Sequence, residues 1–130
     1  MFDPFVGIPY ADKGRGEAVD CWGLVCRVFR ELRGIELPGY SESYVTAEDR
    51  VAIAALIAGQ IDPWAPIAAG SEQVFDCVLM REGRFARHIG VVTRPGMVLH
   101  VSRGGTSQIE RYRSGLFSSR IVGFYRFRAA

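Results

Sequence analysis

The sequence has few of the residues on which several common kinds of site depend. It contains three cysteines, two histidines and a single lysine, Lys13, among 130 residues. An odd number of cysteines excludes a complete set of internal disulfides, and the spacing of Cys21, Cys26 and Cys77 matches no zinc-binding pattern. We therefore expect reduced thiols and no zinc site. We also expect no metal or organic cofactor, because the thiol and imidazole chemistry considered for this chain needs neither.

Long apolar segments and strong charge are also missing. No stretch approaches the roughly 18 consecutive apolar residues of a membrane-spanning helix, and the opening MFDPFVGIPYADKG lacks the basic start and apolar run of a signal peptide. The net charge is only +2, which does not indicate a nucleic-acid partner. Hydrophobic residues make up 48% and charged residues 23%, which suits one globular domain over residues 1–130. We expect neither a membrane nor a nucleic acid as a partner.

The order of the predicted elements indicates an α+β fold. Apolar residues at helical spacing predict a helix from Asp20 to about Arg33, with Asp20 as its N-cap and Gly34 at its end. A second helix is predicted over 47–59, and the following DPWAPIAAGSEQ is predicted to be a loop. Five β-rich runs then begin at Val74: VFDCVLM, HIGVV, MVLHV, SQIERY and VGFYRF. Helices first and strands later favour N-terminal helices packed on a C-terminal antiparallel sheet over a βαβ arrangement.

Cys21 is the candidate nucleophile because it begins the first predicted helix. Unpaired N–H groups and a partial positive charge at a helix N-terminus favour a thiolate, and the same groups can stabilise an oxyanion. Free cysteine is also a common small core residue. Cys26, about 140° around the helix from Cys21, and Cys77, within an apolar strand, are interpreted that way. Asp20 would oppose a neighbouring thiolate, so we expect it to cap the helix.

The two histidines end the stretch HIGVVTRPGMVLH, which is typical of a β-hairpin turning at 94–96. A three-residue loop would pair Gly90 with His100 and place His88 and His100 on the same face as diagonal neighbours. A two-residue Pro-Gly loop would place them on opposite faces. Only the first register lets the two rings act together, and each histidine alone is also compatible with a structural role.

A cysteine at a helix start, a histidine on one strand and a polar residue on the next follow the order of a papain-like site. In that interpretation Cys21 attacks a carbonyl carbon. His88 takes the thiol proton and returns it to the leaving amine. His100 holds the His88 ring in its productive tautomer.

At these residues the sequence resembles the NlpC family of cell-wall cysteine peptidases. The stretches GIPY, DCWGL, FDCVLM, RHIGVV and VLHV are similar to that family's motifs, over roughly residues 7–127. The resemblance implies a papain-like fold and hydrolysis of peptidoglycan stem peptides, usually between γ-D-glutamate and a diamino acid. It implies Cys21 as nucleophile, His88 as base and His100 as orienter, with Tyr10 lining the site.

Four further positions bear on the substrate site or depart from the family pattern. Trp22 stands where members of the family often have Ser or Ala, and we expect it to shape the cleft. Phe75 stands where glycine is usual. Arg87 and Arg103 flank the histidine strands and either hold a substrate carboxylate or lie at solvated strand ends.

The form DCWGLV-x-R-V-x-R-E followed by G-I-E-L-P-x-Y most resembles the branch found with bacteriophage tails and gene-transfer agents. This resemblance implies peptidoglycan and tail or baseplate proteins as partners. It also implies location in a virion tail or phage-like particle after synthesis in the bacterial cytoplasm. Two alternatives remain open. One is a structural baseplate or tail-assembly protein with little hydrolase activity, which Trp22 and the short segment before Tyr10 motivate. The other is an amidase or acyl transferase that uses the same Cys-His chemistry.

Overall fold

A six-stranded antiparallel sheet dominates the computed structural model, which describes residues 1–12, 14–37, 64–83 and 85–128 without the side chains of 85–87 and 116. The strand order is β1-β6-β2-β3-β4-β5, and helix α1 packs against β3. The elements are α1 Cys21–Val28, β1 Trp64–Ile67, β2 Cys77–Glu82, β3 Phe85–Arg94, β4 Met97–His100, β5 Gln108–Arg111 and β6 Ile121–Phe127.

Helix α1 begins and ends as its sequence predicts. The Asp20 side chain accepts a hydrogen bond from the Gly23 N–H at 2.7 Å, which makes Asp20 the N-cap. The helix widens into a π-helical turn over Phe29–Arg33 and stops at Gly34, whose φ of 65° is the left-handed conformation that glycine adopts readily. Both predicted ends are confirmed, whereas the wide last turn was not predicted.

The prediction of several N-terminal helices is not confirmed. Among the residues that the structure describes, α1 is the one α-helix, accompanied by short 3₁₀ turns at Asp3–Phe5 and Gly115–Phe117. The second predicted helix, over 47–59, lies outside the described residues. No helix in the described part of the chain has the length and apolar character needed to cross a membrane.

The five predicted strands are confirmed, but one strand was missed. Trp64–Ile67, predicted to be loop, pairs with β6 as an edge strand of the sheet. Pro66 cannot donate to a strand ladder, but an edge strand needs donors on one side only, so the edge position tolerates this proline. The buried indole of Trp64 anchors this edge to the core.

Both faces of the sheet are covered, which explains why its strands are almost continuously apolar. Successive side chains of a strand point to opposite faces. On the helix face, Leu79, Ile89 and Leu99 pack in one cluster with the apolar side of α1. The other face, called here the outer face, carries a second cluster formed by Val78, Met80, Val92, Val98, Tyr112 and Phe124.

The β3–β4 hairpin combines the two loop geometries considered from the sequence. Its turn is the two-residue Pro95-Gly96, with a φ of 95° at Gly96. A bulge at Thr93, between Val92 and Arg94, shifts the register by one residue. Val92 therefore lies opposite Val98, in the register expected for a three-residue loop. The expectation that a two-residue loop separates the histidines was wrong because it did not include the bulge.

The N-terminal segment joins the start of α1 to the strands of the histidine hairpin. Tyr10 forms a parallel bridge with Val19, and Pro9 forms an antiparallel bridge with Thr106. The buried Ser107 hydroxyl accepts from the Ile8 N–H at 2.8 Å. Since the residues after Ser107 form β5, this segment ties the helix start to the end of the sheet that carries His100.

Candidate active site

The hairpin brings the two predicted histidines into direct contact. His88 Nε2 and His100 Nδ1 lie 2.8 Å apart, and the rings meet edge to face with centroids 5.0 Å apart. Both side chains are buried, at 4% and 5% exposure. The close approach depends on Gly90, because a Cβ there would lie 2.5 Å from Val98 Cγ2 and 3.2 Å from His100 Cβ.

Two carboxylates flank this pair of rings, and neither was predicted from the sequence. Glu110 of β5 places Oε2 2.5 Å from His100 Nε2, and Glu82 of β2 places Oε1 3.9 Å from His88 Nδ1. Glu110 lies opposite Val98, so it faces the same side of the sheet as His100. Its position depends on how the segment 101–107 sets the register of β5, which no local sequence pattern specifies.

A small opening lies beside His100. It has a volume of about 140 Å³ and is lined by His100, Ser102, Gly105, Thr106, Gln108 and Glu110. The Phe117 ring packs edge-on against His100 with centroids 5.2 Å apart and covers another side of the imidazole. His100 is therefore held by an aromatic ring, a carboxylate and a second imidazole.

Cys21 is the first residue of α1, as predicted, and its side chain is fully buried. It packs in the helix-face cluster that also contains Ile89, the residue after His88. Strand alternation points the His88 ring away from Ile89, toward the outer face. The histidines and Glu110 thus form one hydrogen-bonded unit, and Cys21 is linked to it through the packing of α1 against β3.

Asp20 has the capping role expected for it. Besides accepting from Gly23, its Oδ1 atom lies 2.9 Å from Arg15 Nη1. Arg15 was not predicted as part of the site. Its guanidinium offsets the negative charge next to Cys21, and that charge would otherwise disfavour a thiolate.

The other two cysteines remain protonated at neutral pH. Burial raises the pKa of Cys26 to about 12. Burial also raises the pKa of Cys77 well above its ordinary value. Neither thiol has the ionisation that a nucleophile requires.

The predicted substrate residues have different surroundings. The Tyr10 hydroxyl donates to Asp12 at 2.7 Å, and Arg103 Nη2 lies 3.4 Å from both Asp12 carboxylate oxygens. Tyr10 and Arg103 are therefore joined through Asp12, a residue that was not predicted to belong to the site. Arg87 lies in β3, but its side chain lies outside the described part of the structure.

Trp22 is fully buried, and its indole packs edge-on against Trp64 with centroids 6.1 Å apart. A side chain in this position shapes the core beneath α1 and offers no surface to a substrate. Among the described residues, no group of three or more His, Cys, Asp and Glu side chains is suited to hold a metal ion.

The sequence model of the NlpC/P60 family matches residues 7–126, nearly the whole chain. The chain belongs to the NlpC/P60 family. No curated protein matches it significantly. The family fold, an antiparallel sheet with few helices, is the fold described above.

Solved structures share this NlpC/P60 fold at low sequence identity. A lipoprotein-like NLP/P60 protein from Staphylococcus aureus subsp. aureus Mu50 superposes with a TM-score of 0.67 and 20% identity, over 98% of this chain and 39% of that one. An NlpC/P60 family protein from Bacillus cereus ATCC 10987 has a TM-score of 0.69 and 17% identity, over 95% and 36%. The NlpC/p60 domain of the peptidoglycan hydrolase SagA has a TM-score of 0.59 and 16% identity, over 83% and 80%. The chain thus spans less than half of the first and second of these proteins.

Proposed function

We propose that this protein is a cysteine peptidase that hydrolyses peptidoglycan stem peptides, with Cys21 as nucleophile, His88 as base and His100 as the residue that orients His88. The observation that carries the proposal is the buried, hydrogen-bonded histidine pair on β3 and β4. The strand β3 packs against a helix that Asp20 caps and that begins at Cys21. Membership of the NlpC/P60 family supports a cell-wall peptide as the substrate. The bond proposed is the one between γ-D-glutamate and a diamino acid.

The chemistry requires the Cys21 thiol, which packs in the helix-face cluster, and the His88 ring, which points toward the outer face, to come together near the start of α1. His88 takes the thiol proton, and the sulfur attacks the peptide carbonyl carbon. The first N–H groups of α1 stabilise the oxyanion that forms. Protonated His88 then gives its proton to the leaving amine, which leaves a thioester on Cys21. Water, deprotonated by His88, hydrolyses the thioester and releases the acid and the free thiol.

The direct test compares wild type, Cys21→Ala and Cys26→Ala on sacculi that contain diaminopimelate. We expect wild type and Cys26→Ala to release stem peptides and Cys21→Ala to release none. Cys26→Ala is the matched control, since it removes a buried thiol from the same helix. Equal release by the wild type and Cys21→Ala would refute the mechanism. Product masses distinguish peptidase from amidase or acyl-transfer chemistry, because each breaks or forms a different bond.

A structural role on the same fold is the second candidate, and the complete burial of Cys21 favours it. A thiol with no surface cannot reach a substrate unless the site opens. Iodoacetamide alkylation at neutral pH separates the two functions. Alkylation of Cys21 much faster than that of Cys26 supports the peptidase. Equal slow alkylation together with no stem-peptide release supports the structural role.

We also propose delivery by a bacteriophage tail or phage-like particle, with tail or baseplate proteins as partners. The support is the sequence form of the first helix and the segment after it, which resembles the branch of the family found with such particles. Mass spectrometry of purified bacteriophage tails or phage-like particles from the organism that encodes the chain tests this. The chain should be present in intact tails, and its absence from them would contradict the proposal.

A further inference from the structure

Glu110, His100 and His88 form a chain of hydrogen bonds, and this chain determines which ring nitrogens carry protons. An ionised carboxylate can only accept hydrogen bonds, so His100 Nε2, 2.5 Å from Glu110 Oε2, must donate. A neutral imidazole carries one proton, which leaves a lone pair on His100 Nδ1. That nitrogen lies 2.8 Å from His88 Nε2, which must therefore donate in turn. The remaining nitrogen of His88, Nδ1, is then the one with the lone pair.

We propose that Glu110 is a positioning residue, which sets the tautomers of both histidines and leaves His88 Nδ1 as the proton acceptor of the site. The inference rests on the proposed function for one point only, the identity of the proton donor as the Cys21 thiol. With the carboxylate ionised and both rings neutral, the contacts among the three side chains leave one tautomer for each ring. Removing the carboxylate frees His100 to carry its proton on Nδ1, and His88 Nε2 would then have to accept rather than donate.

The surroundings of the two histidines leave Glu110 as the group that sets their tautomers. Both rings are buried, so an unmatched donor or acceptor between them would be costly. Met80 lies opposite His88 on β2, and the Phe117 ring packs against His100, so neither neighbour supplies a hydrogen bond that could set a tautomer. Glu82 contributes charge from β2, but its carboxylate oxygen lies 3.9 Å from His88 Nδ1, beyond hydrogen-bonding distance. Glu82 is therefore a matched control for Glu110.

The test is nitrogen-15 NMR of the imidazole rings at a pH where both are neutral. The chain contains only two histidines, so the spectrum holds two ring systems. In the wild type we expect both rings to carry the proton on Nε2. Glu82→Gln should keep this pattern. Glu110→Gln, which is nearly isosteric but can donate or accept, should give a second population protonated on Nδ1. A proton on His100 Nδ1 in the wild type, or an unchanged pattern in Glu110→Gln, would overturn the inference.

A second measurement separates this inference from the proposed function. Alkylation of Cys21 at neutral pH should slow by about tenfold or more in Glu110→Gln, because a misprotonated His88 cannot take the thiol proton. It should slow less in Glu82→Gln. If the tautomers change as expected while Cys21 is unreactive in every variant, the role of Glu110 stands and the proposed peptidase fails. If Cys21 is reactive and the tautomers are unchanged, the peptidase stands and the role of Glu110 fails.

Discussion

Phe75 occupies a backbone conformation that ordinarily selects glycine. Its φ of 74° lies in the left-handed region, where a Cβ meets the neighbouring carbonyl. The ring compensates by packing against Phe2 and Phe29, with centroids 5.6 and 6.3 Å away, and the Arg33 guanidinium stacks on it at 5.4 Å. At Phe75, contacts of the ring therefore offset the strain of the backbone.

The strained backbone at Phe75 predicts that two small substitutions there have the reverse of their usual order of stability. Phe75→Ala and Phe75→Gly both lose the ring and should be less stable than the wild type, but only glycine relieves the strained φ. Phe75→Gly should therefore be more stable than Phe75→Ala by about 1 kcal/mol, although glycine is normally the less stable of the two. Urea unfolding of the three proteins measures the difference. A Phe75→Ala protein at least as stable as Phe75→Gly would show that the position is not strained.

The three cysteines show how the surroundings of a thiol determine whether it can ionise. All three thiols are buried, and two of them lie in the same helix. Cys21 has the helix N-terminus, whereas burial is the main cause that raises the pKa of Cys26 to about 12. A sequence motif can suggest this difference, because the N-cap Asp20 marks where the helix begins.

At the scale of elements, the contact between β3 and β4 at Gly90 controls the histidine pair. A Cβ at Gly90 would lie 2.5 Å from Val98 Cγ2 and 2.9 Å from the Leu99 carbonyl oxygen. The carbonyl belongs to the strand backbone, so relief requires the strands to separate. Separation at this point lengthens the 2.8 Å contact between His88 and His100.

We therefore expect Gly90→Ala to lower the free energy of unfolding by about 1–3 kcal/mol and to weaken the coupling of the two rings. Gly16→Ala is the control, because a Cβ there meets nothing within 4 Å and should change stability little. Chemical denaturation gives the stability, and the imidazole nitrogen resonances report the ring contact. If Gly90→Ala behaves like Gly16→Ala in both measurements, the close strand approach does not hold the pair.

Elements with strong local signals could be predicted from the sequence, and features that depend on register could not. The cap at Asp20, the stop at Gly34 and five apolar strands all have local signatures. The Thr93 bulge, the edge strand containing Pro66 and the position of Glu110 depend on which residues face each other across the sheet. For this reason the histidine pair was predicted as one of two registers, and the carboxylate behind it was missed.

At the scale of the whole molecule, Glu72 joins three segments that are distant in sequence. Its buried carboxylate accepts from the Tyr112 hydroxyl at 2.6 Å, from the Gly70 N–H at 2.6 Å and from Arg113 at 3.0 Å. The Tyr112 hydroxyl in turn accepts from Gly96 N at 2.9 Å, in the β3–β4 turn. The connection between β1 and β2, the histidine hairpin and the chain after β5 are thus held at one carboxylate.

This carboxylate should make the stability of the fold sensitive to acid. Burial alone would raise the pKa of Glu72, but the hydrogen bonds from Tyr112, Arg113 and backbone N–H groups outweigh burial and lower the pKa from 4.5 to about 2. The unfolded chain therefore takes up this proton at a higher pH than the folded protein does. The stabilisation is complete above about pH 4.5 and is lost as the pH falls toward 2, with a total of about 3 kcal/mol.

Glu72→Gln isolates this contribution, because the amide cannot ionise. We expect the variant to be less stable than the wild type at pH 7 and the difference to shrink as the pH falls from about 4.5 to 2. Urea denaturation at a series of pH values measures it, with Glu17→Gln, at an exposed position, as the control. A constant difference across the whole range would mean that ionisation of Glu72 does not contribute to the stability of the fold. A difference that closes in this window would identify its ionised carboxylate as the group that joins the three segments.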